Sequence, residues 1–226
     1  MKFELLDNLI IVEIEARNYL VDTGSNMSFS LNDNNLDLVI NDKNYLLKPN
    51  LASAIVKDTL NHLIPGKVVD GVIGTNIIIE NNLSIDYLNQ EIYFDIVKPP
   101  YDFIEQYFIP FEVKLGYLFT NMYLYSDKLT MLIDSGAKIG YVKSEYLDLS
   151  KPLGEYEDWS PELGKMEGKL YGFYDSLHKE NVRVGKLPKE YEFITDGIIP
   201  LYEFVRPGFC VFDFNNMMFG FTRRFL

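Results

Sequence analysis

The string Asp-Thr-Gly at residues 22–24 returns as Asp-Ser-Gly at 134–136, each time directly behind two apolar residues: "LVDTGS" (20–25) and "LIDSGA" (132–137). A single strand ending in an Asp-Thr-Gly turn is ordinary turn chemistry and needs no function. A second copy constrains the fold far more, because the downstream sequence repeats as well. Behind Asp22 comes "VVDGVIGTNIIIENNLSIDYLNQEIYFD" (68–95), and behind Asp134 comes "ITDGIIPLYEFVRPGFCVFDFNNMMFGF" (194–221). Both carry Asp-Gly before two β-branched residues, a short irregular piece, an apolar-Asp-aromatic step, a turn containing Asn and a closing aromatic-rich strand. The interval from Asp-Gly to the later Asp is nearly constant, 70–86 against 196–213, whereas that from the first Asp to Asp-Gly grows from 22–70 to 134–196. A framework is kept and one loop has expanded.

The local patterns are mostly those of strands. "LIIVEIEA" (9–16) alternates apolar and charged residues, "LDLVI" and "YLLKP" flank the turn "NDKN" as a hairpin, and "LTMLID", "CVFDF" and "MMFGF" continue the pattern. Residues 52–64 carry Ile55, Leu60, Leu63 and Ile64 at helical spacing and are predicted to form a helix. In "DIVKPPYDF" (95–103) the paired prolines favour an extended linker. The expectation is an all-β fold with short helices, in two similar lobes related by a pseudo-twofold axis. Residues 1–98 carry Asp22, 99–103 link, and 104–226 carry Asp134.

Composition narrows the partners. With 226 residues, 47% of them hydrophobic, the chain can bury one large core or two small ones. The 33 acidic residues outnumber 21 basic ones, and a net charge of −12 argues against a nucleic-acid or anionic-membrane partner. Cys210 is the only cysteine, so no intrachain disulfide can form, which fits a reducing compartment. Glu4, Asp7, Glu13 and Glu15 interrupt the N-terminal apolar residues, leaving no signal-peptide core. The longest apolar stretches, such as "GVIGTNIII", fall well short of the roughly 20 residues of a membrane span. A cytoplasmic location is the expectation.

Two carboxylates on strand-end turns of two related lobes can meet at the axis. Carboxyl groups a hydrogen bond apart cannot both ionise easily, so they share one proton. Such a pair holds a water molecule, deprotonates it with the ionised member and protonates the carbonyl oxygen or leaving nitrogen with the other, without metal or cofactor. Gly24 and Gly136 allow backbone amides to approach the carboxylates. Thr23 and Ser135 each offer a hydroxyl that can donate across the axis to the other lobe's backbone.

On these residues the chain resembles the aspartic peptidases of the pepsin and retropepsin superfamily. "DGVIGTNI" (70–77) is similar to the family's apolar-apolar-Gly segment behind the catalytic loop, and "GFCVFDFNNMMFGF" (208–221) to the closing strands of pepsin-like C-terminal lobes. The resemblance spans both halves, although most of 26–67 and 143–193 matches only by position. It implies acid-protease β-barrel lobes around a cleft, formed within one monomeric chain, and an extended peptide as substrate. It makes Asp22 and Asp134 the catalytic pair, Thr23 and Ser135 the cross-lobe hydroxyls, and Ser25 a partner of the Asp22 carboxylate, with Ala137 in the place of Ser25 in the second copy. Losing that hydroxyl removes one donor to the charged form of Asp134. The family usually closes its cleft with a hairpin flap that often carries an aromatic residue. Here the candidates are the hairpin around Asn41–Asn44 with Tyr45 and its rival "MEGKLYGFYD" (166–175) with Tyr171. Pro200 replaces the expected glycine in "GIIPL", and the chain is closer in length to two joined retropepsin subunits than to a pepsin. Given the short stretch before the first strand, the expectation is that there is no pepsin-style propeptide.

Other residues read as structural. Gly71, Gly74 and Gly197 suit turns, and Asp86 and Asp213 suit solvent-facing or turn-bonding positions. His62 and His178 are isolated, which disfavours zinc. Cys210 reads as a small buried hydrophobe, while Trp159 fits either a core or a cleft. The alternatives to an aspartic endopeptidase are a catalytically inactive module of the same fold that binds a peptide or protein, and, more remotely, glycoside cleavage by two carboxylates.

Overall fold

A computed structural model describes residues 1–97, 105–124, 127–160, 163–175, 180–205 and 208–223. The first half runs through β1 (Phe3–Leu6), β2 (Leu9–Ile14), β3 (Arg17–Val21), β4 (Phe29–Ser30), β5 (Leu36–Ile40), β6 (Lys43–Leu47), α1 (Ser53–Leu63), β7 (Gly71–Ile73), α2 (Thr75–Asn81), β8 (Leu83–Asp86) and β9 (Glu91–Tyr93). The second runs through β10 (Glu105–Lys114), β11 (Tyr117–Leu124), β12 (Asp127–Asp134), β13 (Gly140–Val142), a 3-10 turn, β14 (Gly154–Ser160), β15 (Gly164–Asp175), β16 (Glu180–Lys186), β17 (Gly197–Pro200), α3 (Leu201–Val205), β18 (Phe209–Asp213) and β19 (Met218–Arg223). The fold is mostly β, as the alternating patterns predict. The proposed linker, 99–103, lies outside the described residues, as do His178 and the side chain of Trp159.

Alternation in the strands around the Asp-Thr-Gly and Asp-Ser-Gly loops serves two cores at once. Ile10, Val12, Tyr19, Val21 and Ile73 enter the main core, while Leu9, Ile11, Leu20 and Val72 enter a satellite core with Phe29, the helix residues Val56 and Leu60 and the C-cap residue Ile64. The second half repeats the division: Met131, Ile133 and Ile199 join the main core, and Phe119, Leu132, Tyr141 and Ile198 form another satellite. With both faces covered, a one-residue slip would mismatch every side chain, so register is strongly set. The helix predicted over 52–64 is α1, although Ile55 faces solvent and the buried stripe is Val56, Leu60 and Ile64. Two-residue turns with positive φ at Asp7–Asn8, Glu15–Ala16 and Asn41–Asp42 close the first three hairpins.

The sheets depart from the expected barrels. A five-stranded sheet has the order β1-β2-β3-β7-β4, a twelve-stranded one β14-β15-β16-β13-β17-β12-β11-β10-β19-β18-β8-β9, and β5 pairs only β6. No sheet among the described residues closes on itself. The edge that closure of the first half would use is occupied, because β8 pairs antiparallel with β18 and carries β9 into the second half's sheet. Residues 83–93 are therefore hydrogen-bonded into strands from beyond the expected boundary.

Asp86 and Asp213 hold matching turns. Each carboxylate accepts the backbone N–H and the side-chain amide of the asparagine three residues on, Asn89 at 3.0 and 2.8 Å and Asn216 at 3.0 and 2.7 Å. Their turn-bonding reading stands. Cys210 is fully buried among apolar residues, and burial pushes its thiol pKa far up.

Candidate active site

The two Asp-Ser/Thr-Gly loops leave equivalent strands in equivalent surroundings. β3 lies parallel to β7 with Tyr19 opposite Gly71 and Val21 opposite Ile73; β12 lies parallel to β17 with Met131 opposite Gly197 and Ile133 opposite Ile199. The Asp-Gly aspartates lock this register. Asp70 accepts the Asn18 N–H at 2.9 Å and returns its own N–H to Asn18 O at 2.7 Å. Asp196 does the same with Thr130, at 2.8 Å in both directions. Gly71 and Gly197 stand where a side chain would run into the carbonyls of Phe29 and Tyr141.

At the junction the loops are cross-linked. Ser135 N–H donates to Thr23 Oγ1 at 2.8 Å, and Thr23 Oγ1 donates to Ile133 O at 3.0 Å. Reciprocally, Thr23 N–H donates to Ser135 Oγ at 2.9 Å, and Ser135 Oγ donates to Val21 O at 2.9 Å. Both hydroxyl residues are buried, so each bond is made where its loss is costly. A further brace crosses at each side. The β10–β11 turn places Leu115 O 3.4 Å from Asn26 Nδ2, and the β1–β2 turn reaches the other loop through Asn8 Nδ2 to Lys138 O at 3.3 Å and Asp7 to Lys138 Nζ at 2.8 Å.

This clasp brings the predicted pair together. Gly24 N–H donates to Asp22 Oδ1 at 2.8 Å and Gly136 N–H to Asp134 Oδ1 at 2.7 Å. A β-carbon on Gly24 would collide with the Asp134 carboxyl, and one on Gly136 would lie 2.6 Å from Asp22 Oδ1. Each carboxyl thus packs over the opposite loop's glycine. Burial, then the charge of Asp22, and a hydrogen bond between the two carboxyls push the Asp134 pKa well up, against the opposing pull of the Gly136 amide. The pair holds one proton over a pH range in which isolated carboxyls are ionised.

The dyad opens into a cavity of about 250 Å³. On one side Ser25, Asn26 and Met27 line it together with satellite-core residues; on the other are Ala137, Tyr141, Asp158, Ser160, Met166 and Tyr191. Ala137 stands in this wall, and Ser25, expected to partner the Asp22 carboxylate, donates its hydroxyl to Met27 O at 2.7 Å, which caps its own loop. The Gly24 amide takes the Asp22 oxygen instead. Tyr45 is also displaced from its expected place. Its hydroxyl binds Glu80 at 3.2 Å and Asn81 at 2.7 Å on α2, so the β5–β6 hairpin is anchored away from the dyad. Tyr171 packs on the main core. Of the two candidate hairpins, β14–β15 reaches the cavity, through Asp158, Ser160 and Met166 rather than through an aromatic ring.

Asp158 is the residue that sequence reasoning missed. Strand parity carries the signal: in "GEYEDWS" Glu155 and Glu157 point outward, and Tyr156, Asp158 and Ser160 face in. An inward carboxyl on such a strand is conspicuous. His62 is exposed, and among the described residues no three His, Cys, Asp or Glu side chains gather as a metal site would require. Set against protein-family models and curated protein sequences, the chain matches none.

Proposed function

We propose that the chain is an aspartic endopeptidase, a compact single-chain form of the pepsin and retropepsin type whose two lobes each contribute one aspartate. The observation that carries the reading is the reciprocal Thr23–Ser135 clasp, which holds Asp22 and Asp134 face to face in one protonation-coupled pair. Turns kept only for folding need no such symmetry.

Chemically, the pair binds one water. The ionised carboxylate takes a proton from it as the oxygen attacks the peptide carbonyl carbon, and the protonated carboxyl gives its proton to the carbonyl oxygen. Collapse of the tetrahedral species transfers a proton to the leaving nitrogen and breaks the C–N bond. The amides of Gly24 and Gly136 fix the carboxylate oxygens, so little reorganisation is needed. The peptide lies extended along the cleft, with alternate side chains entering its walls, and β14–β15 forms the cover. Pro200, the departure that favours an inactive module, packs its ring over Gly140, where no side chain stands in its way. A single cysteine, with no partner in the chain for a disulfide, is in keeping with a cytoplasmic location.

The test is cleavage of a mixed peptide library between about pH 3 and 8, with Asp22→Asn and Asp134→Asn as controls and a statine-type analogue as inhibitor. Cuts that vanish in both variants and with the analogue are expected. Cuts that persist in a folded Asn variant would sink the proposal.

A further inference from the structure

The inner face of the β14–β15 hairpin is built around a carboxyl. Tyr141 Oη donates to Asp158 Oδ2 at 2.5 Å, which fastens a tyrosine hydroxyl to a carboxyl on this face. Tyr141 is 2% exposed and Asp158 6%. The rings of Tyr141 and Tyr156 meet edge to face at 5.7 Å. Two glycines make room for them: a β-carbon on Gly168 would lie 2.8 Å from the Tyr156 ring, and one on Gly185 would lie 2.9 Å from both rings. Across the hairpin Asp158 is in register with Met166, and two residues further on Ser160 Oγ shares a hydrogen bond with Tyr191 Oη at 2.9 Å.

A tyrosine–aspartate bond that merely fastened the hairpin would have no need to face the dyad, yet Asp158 lines the same cavity as Asp22 and Asp134. Its charge is felt at Asp134, where it adds to the upward push. The described residues lining this cavity include three aspartates and no Lys, Arg or His. A partly enclosed space of low dielectric magnifies such a field. We infer that Asp158 makes the cleft selective for peptides that place a lysine or arginine side chain beside the bond lying over the dyad. The inference rests on the peptidase reading for its substrate, but charge selection is a property of binding and can be measured apart from turnover.

The experiment uses statine peptides, which are not cleaved, with lysine, norleucine or glutamate at the residue before the statine, and a second set with the same three residues after it. Their affinities for the full chain are measured by calorimetry near neutral pH. In one of the two sets lysine is expected to bind about tenfold tighter than norleucine, and glutamate about tenfold weaker. In Asp158→Asn the amide oxygen still accepts the Tyr141 hydroxyl, so the fastening survives while the charge is gone, and the lysine-to-norleucine ratio should fall to about twofold or less. Met166→Lys places a cation beside Asp158 and should erase the same ratio with Asp158 intact. Equal binding of all three side chains in both sets, or a lysine preference that outlives Asp158→Asn, overturns the inference. If no statine peptide binds, both readings fall. Lysine-selective binding without hydrolysis of the matching substrate would sustain the selectivity and sink the peptidase.

Discussion

Pro200 is the register partner of Asp134 in the parallel pairing of β12 with β17. In the first half the matching position is Gly74, whose N–H donates to Ser28 Oγ at 2.8 Å. The residue matching Ser28 is Gly140, and a β-carbon there would stand 3.4 Å from the Pro200 ring. A donor and its acceptor have been exchanged for a ring without N–H and a residue without hydroxyl. Pro200→Gly should therefore lower stability by about 1–2 kcal/mol in urea unfolding, since it frees an N–H with no acceptor opposite and loosens the unfolded chain. Adding Gly140→Ser should return part of the loss; no recovery would mean that the two positions are not coupled.

Thr23→Val keeps the side-chain shape but strands Ser135 N–H and Ile133 O. A loss of about 2–4 kcal/mol is expected, seen as a lower denaturant midpoint at constant slope. Ser135→Ala should cost a similar amount, and the double variant less than the sum, because the second hydroxyl has less to hold once the loops have parted.

Gly136→Ala directs a methyl at Asp22. The chain should fold, with the loops pushed apart, and peptide cleavage should drop by about a hundredfold or more, given how steeply rate follows the placement of reacting groups. Retained activity would show that the carboxyls tolerate separation.

The raised Asp134 pKa fixes the sign of a stability difference. The folded chain keeps a proton that the unfolded chain releases in the ordinary carboxylate range, so the Asp134 contribution is fully present below that range and is lost as pH rises through the folded value. Asparagine does not ionise. Asp134→Asn should therefore melt higher than the wild type at neutral pH, with the gap closing toward about pH 4 and below. A gap that widens on acidification would contradict the assignment.

The duplication was legible because it rests on short, contiguous strings. Asp22, Asp134 and their hydroxyl and glycine neighbours sit within three residues of one another in each copy, and the Asp86–Asn89 and Asp213–Asn216 turns are equally local. What escaped notice depends on distance. The pairing of β8 with β18 joins residues more than a hundred positions apart in the chain, and no periodicity announces such a partner. Tyr45 offered an aromatic on a hairpin, but Glu80 and Asn81 decide where that hairpin goes. Ser25 was expected beside the Asp22 carboxylate, but its hydroxyl goes to the backbone carbonyl of Met27, a choice its position in the string does not reveal. Asp158 was readable from strand parity alone, yet its meaning required knowing that the strand faces the dyad.

The crossed hydroxyls have a consequence for timing. Each carboxylate is fixed by its own loop's glycine amide, but Asp22 and Asp134 are brought face to face by bonds that cross between the halves, so neither half carries a finished site of its own. A chain still emerging from the ribosome, or one whose halves have come apart, has two ordinary strand-end carboxylates and no shared proton. Whatever chemistry the pair performs is switched on by the last docking step and switched off by the first undocking, which makes completion of the fold its own safety catch.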